Sequence, residues 1–199
     1  MCSSDLPTLH VQFGEAMAIL AGDALLTRAF ELLGELRPAE IAAGLACDLA
    51  RGAGAAGMIA GQVADMDLCA LPAGAAGLDY IHARKTAALF AAAARMGGRC
   101  GAADAAVSEA LGEFAFALGM AFQVTDDILD ATGTAESLGK TPGKDQAAGK
   151  RTYPALVGLE ASLSAAAALS ERAERALVGL GAGAAPLREL AGLLLNRTR

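Results

Sequence analysis

The chain has 199 residues, 54% of them hydrophobic and 4% aromatic, with a formal net charge of −6 and a pI near 4.9. That length supplies one domain with a real core. The acidic balance excludes the basic footprint of a nucleic-acid-binding protein. Abundant Ala and a low β-branched content argue for helices over a sheet. Cys2, Cys47, Cys69 and Cys100 form no CxxC pair, so zinc and redox motifs are not expected and a reduced, cytoplasmic protein is. Uncharged runs such as Gly52–Ala64 fall short of the roughly 20 apolar residues of a membrane span. The N-terminus also lacks the basic flank and apolar core of a signal peptide.

Met1–Leu6, MCSSDL, does not read as protein. One codon reading of it matches the end of a common sequencing-library adapter, so residues 1–6 are expected to be a non-native tail and 7–199 a single domain. From His10 to Leu33 the apolar residues recur at helical spacing, and Gly34 and Pro38 end the run. Ala39 to about Asp67 reads as a second long helix. Its GAGAAGMIAGQVADMD is rich in small residues that let backbones approach closely, and its glycines suggest tight packing or a bend. Gln62 and Asp65 fall one turn apart on it. Leu71–Gly77 is a loop. Leu78–Met96 is a third helix bearing Lys85 and Thr86, and its His82 reads as a surface or capping histidine. A fourth helix runs from Asp104 to Thr132, followed by a Gly/Pro loop from Gly133 to Lys150. A fifth spans Tyr153 to about Leu180 and a shorter sixth Pro186–Asn196. No internal repeat or long linker interrupts the pattern, so the architecture is an all-α bundle.

The chemistry concentrates in FQVTDDILDATGTAESLGKTPGKDQAAGK, Phe122 to Lys150. Asp126 and Asp130 lie one helical turn apart with Asp127 beside them. Three carboxylates so close repel one another unless a cation sits among them. Hard oxygen donors suit Mg²⁺, which keeps waters and takes further ligands from substrate phosphates. Gln123, on the same face, is placed to hydrogen-bond a phosphate or a metal-bound water. Lys140 and Lys150 supply cations for a polyanion that the metal only partly neutralises. A lone DDxxD also occurs at solvated helix ends; the neighbouring Gln and Lys residues are what point to a metal–phosphate site.

Taken together, LPTLHVQFGEAMAILAGDALLTRAFELL, GMIAGQVADMD, IHARKTAALF, FQVTDDILD, LGK and DQAAGKRTYPAL resemble the trans-polyprenyl diphosphate synthases, the farnesyl and geranylgeranyl diphosphate synthase family. These pieces lie in family order over nearly everything after Leu6. The resemblance implies a helical bundle of the isoprenoid synthase type, working with Mg²⁺ as a homodimer. Asp126, Asp127 and Asp130 resemble its second aspartate-rich motif, with Asp126 on the metal and the other two on the same metal face. Lys85, Lys140 and Lys150 match lysines that hold the allylic diphosphate. Thr86 and Gln123 match positions that steady the allylic cation and accept a proton, and Gln62 and Asp65 match the GQxxD segment lining the pocket. The implied reaction condenses isopentenyl diphosphate with an allylic diphosphate (dimethylallyl, geranyl or farnesyl).

In that family a first aspartate-rich motif, with helices that bind isopentenyl diphosphate and set product length, precedes the segment where this chain begins. The chain is therefore expected to be the C-terminal two-thirds of a synthase, missing its N-terminal helices. Two other readings are a catalytically silent partner subunit of a complete synthase and a class I terpene cyclase. The cyclase reading lacks the Asn/Ser/Glu metal motif that such enzymes pair with DDxxD.

Overall fold

A computed structural model of the chain describes residues 6–132 and 151–196, and every regular element among them is helical. The backbone divides into two compact units, Met1–Ala46 and Cys47–Arg199.

In the first unit, α1 (Leu9–Phe13) and α2 (Glu15–Gly34) pack on one another. The sequence predicts a single helix from His10 to Leu33, but the chain breaks at Gly14. Its φ of +84° and ψ of 162° are open essentially to glycine alone. Nothing on α2 is buried: Ile19 and Leu25, for example, are 65% and 74% exposed. α3 (Ala39–Ala53) carries the chain into the second unit.

The second unit contains α4 (Met58–Asp65), α5 (Ala75–His82), a π-helical turn at Ala83–Ala87, α6 (Ala88–Cys100) and α7 (Ala105–Thr132). After residues 133–150 come α8 (Tyr153–Val157), α9 (Leu159–Ala176), short 3₁₀ turns at Val178–Leu180 and Ala182–Ala184, and α10 (Ala185–Asn196). The long helix expected from Ala39 to Asp67 is thus two, divided where residues 54–57 fold back tightly. A Cβ on Gly57 would lie 2.1 Å from the Gly52 carbonyl oxygen. The helix expected from Tyr153 to Leu180 breaks in the same way as the first, at Gly158 with φ +85°.

α7 is the core helix. Asp104 starts it by accepting the Val107 N–H at its Oδ1, 2.8 Å away, satisfying one of the free donors of the first turn. Its 28 residues make it long and apolar enough to cross a membrane by length and composition. That apolar length is taken up by its neighbours, since α6 and α9 pack along it. Near its start, Phe114, Ala117 and Leu118 meet Ala173, Leu177 and Ala191. Near its end, Val124 and Ile128 pack with Leu78, Tyr153 and Ala166. The second cluster packs against the turn that carries the aspartates.

Candidate active site

α4 meets the π turn at unusually short range. A Cβ on Gly61 would lie 2.1 Å from the backbone nitrogen of Lys85 and 2.5 Å from its Cα, so only glycine permits this approach. One turn further along α4, Asp65 Oδ2 accepts from Lys85 Nζ at 2.6 Å. The pair is about a third exposed, so solvent screens it and it contributes little to stability; its effect is to aim the lysine. On the other side of the π turn a Cβ on Gly119 would lie 2.7 Å from the Ala87 Cα. That closeness lets Thr86 Oγ1 donate to Gln123 Oε1 on α7 at 2.9 Å. Lys85 and Thr86 thus reach opposite neighbours from consecutive positions.

The aspartates differ in their surroundings. Asp126 is half-buried, while Asp127 and Asp130 are buried, at 6% and 4% exposure. Asp127 Oδ2 accepts the backbone N–H of Tyr153 at 3.0 Å and lies 3.6 Å from His82 Nε2. The Tyr153 ring stacks on the His82 ring with centroids 5.7 Å apart, and its hydroxyl donates to Asp79 Oδ1. Arg151 donates to Asp67 Oδ1 at 2.5 Å. A small cavity of about 40 Å³ is lined by Asp65, Lys85, Gln123, Asp127 and Arg151, among others. A second of about 150 Å³ lies between Asp127, Asp130, Thr152 and Pro154.

Burial, and then the charge of Lys85, hold the His82 imidazole down at about 4, with Asp65 pulling weakly the other way. His82 is therefore neutral at pH 7. Tyr153 is pushed far up, by burial first and then by its hydrogen bond to Asp79 and the charges of Asp79 and Asp127.

Of the residues expected from the sequence, Asp65, Lys85, Thr86, Gln123 and Asp127 gather around one cleft. Gln62 is exposed on α4 and lies outside that lining. Lys140 and Lys150 fall outside the described residues. His82 corrects the sequence reading: it is 4% exposed, not a surface or capping group. Asp79 joins the site from outside the segments that carry the resemblance, whereas Asp67, Arg151 and Tyr153 lie within GMIAGQVADMD and DQAAGKRTYPAL, where no role is assigned to them. The spacing of His82 and Lys85, one turn apart, was the only available hint for the histidine.

A larger cavity of about 1070 Å³ is lined by residues of α3, α6 and α7. Its wall is built of small residues, including Gly52, Ala88, Ala92, Ala110 and Gly112, with Phe116. Ala88 and Ala92 follow Lys85 at helical spacing, and Phe116 and Gly112 precede Gln123 in the same way, so cleft and cavity share helix faces. Asp48, Arg51, Arg95, Arg99, Glu109 and Glu113 also line it, and Arg99 pairs with Asp48 at 2.6 Å.

Among the described residues no three His, Cys, Asp or Glu side chains converge as a complete metal-binding set. The donors nevertheless fit Mg²⁺. Asp126 and Asp130 give hard oxygens one turn apart, and Mg²⁺ ordinarily takes one or two carboxylates and completes its shell with water and substrate phosphates.

The all-α bundle thus sets a lysine, a Thr–Gln pair and an aspartate cluster on neighbouring helices. The family model for polyprenyl synthetase matches residues 5–177, and the chain belongs to that family. It is 45% identical over 199 residues to putative geranylgeranyl pyrophosphate synthase 8 of Arabidopsis thaliana, covering 96% of this chain and 55% of that protein. It is 43% identical to the farnesyl diphosphate synthase of Geobacillus stearothermophilus, covering 96% of this chain and 66% of the other. Among solved structures, the geranyltransferase of Helicobacter pylori complexed with magnesium and isoprenyl diphosphate superposes with a TM-score of 0.80 at 36% identity. That match covers 96% of this chain and 63% of the other. The chain thus spans between about half and two thirds of the length of these relatives.

Proposed function

We propose that the protein is a short-chain polyprenyl diphosphate synthase, condensing isopentenyl diphosphate with an allylic diphosphate (dimethylallyl, geranyl or farnesyl). The observation that carries this reading is the pairing of Lys85 with Asp65 and of Thr86 with Gln123, from one turn, beside the aspartates of α7. A lysine aimed by a carboxylate suits an anionic diphosphate. The Thr86 and Gln123 oxygens offer lone pairs to a developing cation and to the proton that the new carbon–carbon bond displaces. Lys140 and Lys150 would join Lys85 on the allylic diphosphate, with Gln62 and Asp65 on the α4 side. Asp126, with Asp127 and Asp130 on the same face, would hold Mg²⁺. Bound there, the metal supplies positive charge against the departing pyrophosphate. The Ala/Gly-lined part of the large cavity (Gly52, Ala88, Ala91, Ala92) offers small side chains against which an isoprenoid tail can lie.

The reading extends to a cytoplasmic homodimer with residues 7–199 in one domain. A single family model running across both compact units supports one domain, and the four unclustered cysteines support a reducing compartment. The uncovered apolar side chains of α2, such as Met17, Ile19 and Leu25, support self-association. Sedimentation of the purified chain tests the dimer.

The decisive experiment measures Mg²⁺-dependent binding of geranyl diphosphate to the 199-residue chain and to Asp126→Ala. Binding that needs Mg²⁺ and disappears in Asp126→Ala, with helicity by circular dichroism unchanged, is the expected result. Equal binding with and without Mg²⁺, or by both proteins, would refute the metal assignment.

A further inference from the structure

Two helices, α5 and α8, converge on Asp127. From α8, the Tyr153 backbone N–H donates to its Oδ2 at 3.0 Å. From the end of α5, His82 Nε2 faces the same oxygen at 3.6 Å. The Tyr153 ring stacks on His82, and its hydroxyl ties both back to Asp79 on α5. Next to Tyr153, Arg151 is fixed to Asp67, beyond the end of α4. His82 and Asp127 are both less than a tenth exposed.

The position of the His82 proton follows. Nδ1 is buried and has no hydrogen-bond partner. A buried N–H without an acceptor costs more than a bare ring nitrogen, and a lone pair on Nε2 would point at a carboxylate oxygen and be repelled. Both arguments place the proton on Nε2, facing Asp127.

We propose that His82 and Tyr153 are positioning residues that lock the Asp127 carboxylate, and through it fix the orientation of the last turn of α7 on which Asp126 and Asp130 stand. His82 lines the cleft beside Lys85 and Gln123, and the role assigned to it and to Tyr153 is on the carboxylate. Their effect is to hold the Asp127 carboxylate in one orientation. This inference rests on the synthase reading for its consequence, while its geometry can be tested without that reading.

The test has two arms on the full chain. In the first, ¹⁵N-labelled imidazole spectra at pH 7 report the tautomer of His82. The expected result is a proton on Nε2 whose signal exchanges slowly with water and shifts in Asp127→Asn. A proton on Nδ1, or a signal that Asp127→Asn leaves unmoved, overturns the proposal whether or not the chain binds diphosphates. The second arm titrates inorganic pyrophosphate with Mg²⁺ by calorimetry. His82→Phe keeps an apolar ring but no N–H, and is expected to weaken binding about tenfold. His82→Gln returns an N–H at similar reach and should recover most of that loss. Native-like binding by His82→Phe, or His82→Gln as weak as His82→Phe, shows a packing role only and overturns the proposal. If the unmutated chain binds no pyrophosphate with Mg²⁺, the synthase reading fails and the imidazole spectra alone decide the positioning role.

Discussion

Replacing Gly61 with alanine is the sharpest probe of how the site is built. The added Cβ would lie 2.1, 2.5 and 2.7 Å from Lys85 N, Cα and Cβ. Two of these atoms are backbone, so no side-chain rotation relieves the clash; α4 and the π turn must separate. Overpacking of this kind costs about 1–3 kcal/mol, which for a chain of this size lowers the thermal midpoint by about 2–12 °C. A control sits nearby. Gly97, in the same bundle and also helical, has nothing within 4 Å of its hypothetical Cβ. Gly97→Ala should therefore stabilise by about 0.5–1 kcal/mol through helix propensity alone. The separation also pulls Lys85 from Asp65, so Mg²⁺-dependent pyrophosphate binding in Gly61→Ala should fall about tenfold, or about 1.4 kcal/mol, while Gly97→Ala leaves it unchanged. Thermal unfolding and calorimetry on the two variants check both statements. Equal midpoints for Gly61→Ala and Gly97→Ala would refute the reasoning.

Two more outcomes follow from charges at the site. Lys140→Ala and Lys150→Ala should each weaken allylic diphosphate binding by about 1.5–3 kcal/mol, the range for one charge-assisted hydrogen bond; titration with geranyl diphosphate reads this directly, and wild-type affinity in both would make them solvated loop lysines. The His82 imidazole stands at about 4 in the folded protein against an ordinary 6.5, so the unfolded chain binds the extra proton first. Stability from this group is then complete above pH 6.5 and is lost as pH falls toward 4, by about 3 kcal/mol over that window. Denaturant midpoints from pH 7 to 4, compared between the native chain and His82→Gln, should show the native curve falling more steeply; parallel curves would remove His82 from the account.

Much of this fold was legible before any coordinates. The apolar periodicity located all six long helical stretches, because a core helix must repeat near 3.6 residues to bury one face. What it missed were interruptions that leave the period intact. Gly14 and Gly158 break helices through one residue's φ, with apolar residues continuing on both sides, and a glycine in a helical pattern looks the same whether it bends the chain or not. Asp126, Asp127 and Asp130 stand out in the sequence because their charges lie within five positions of one another. The site was illegible where partners are far apart: Tyr153 and Asp79 are 74 positions apart, Arg151 and Asp67 84. His82 was misread because a histidine beside Lys and Arg looks solvated. Its burial arises from Tyr153, whose position against α7 only the tertiary fold determines.

The π turn shows why this particular helix carries the site's chemistry. Along α5 and α6 the most buried positions include Leu78, His82, Ala87 and Ala91, spaced by four, five and four. The single step of five falls across Ala83–Ala87, the segment with π geometry, where bonds run i→i+5 and one extra residue fits between core positions. A regular helix would place Thr86 in the core stripe, four after His82. The wider turn leaves four residues free of it. Arg84 covers the Tyr80 ring at 3.8 Å, Lys85 reaches Asp65, and Thr86 reaches Gln123. Deleting Ala83 should restore a regular helix with the core stripe in register, so the fold is expected to persist with an unfolding midpoint at or above that of the parent. At 100° per residue instead of about 80°, Lys85 then turns by about 40° relative to His82 and Thr86 by about 20°. The lysine therefore loses its place most, and Mg²⁺-dependent pyrophosphate binding should weaken about tenfold while circular dichroism stays native. A deletion variant that binds pyrophosphate as the parent does would show that the extra residue serves packing and not the site.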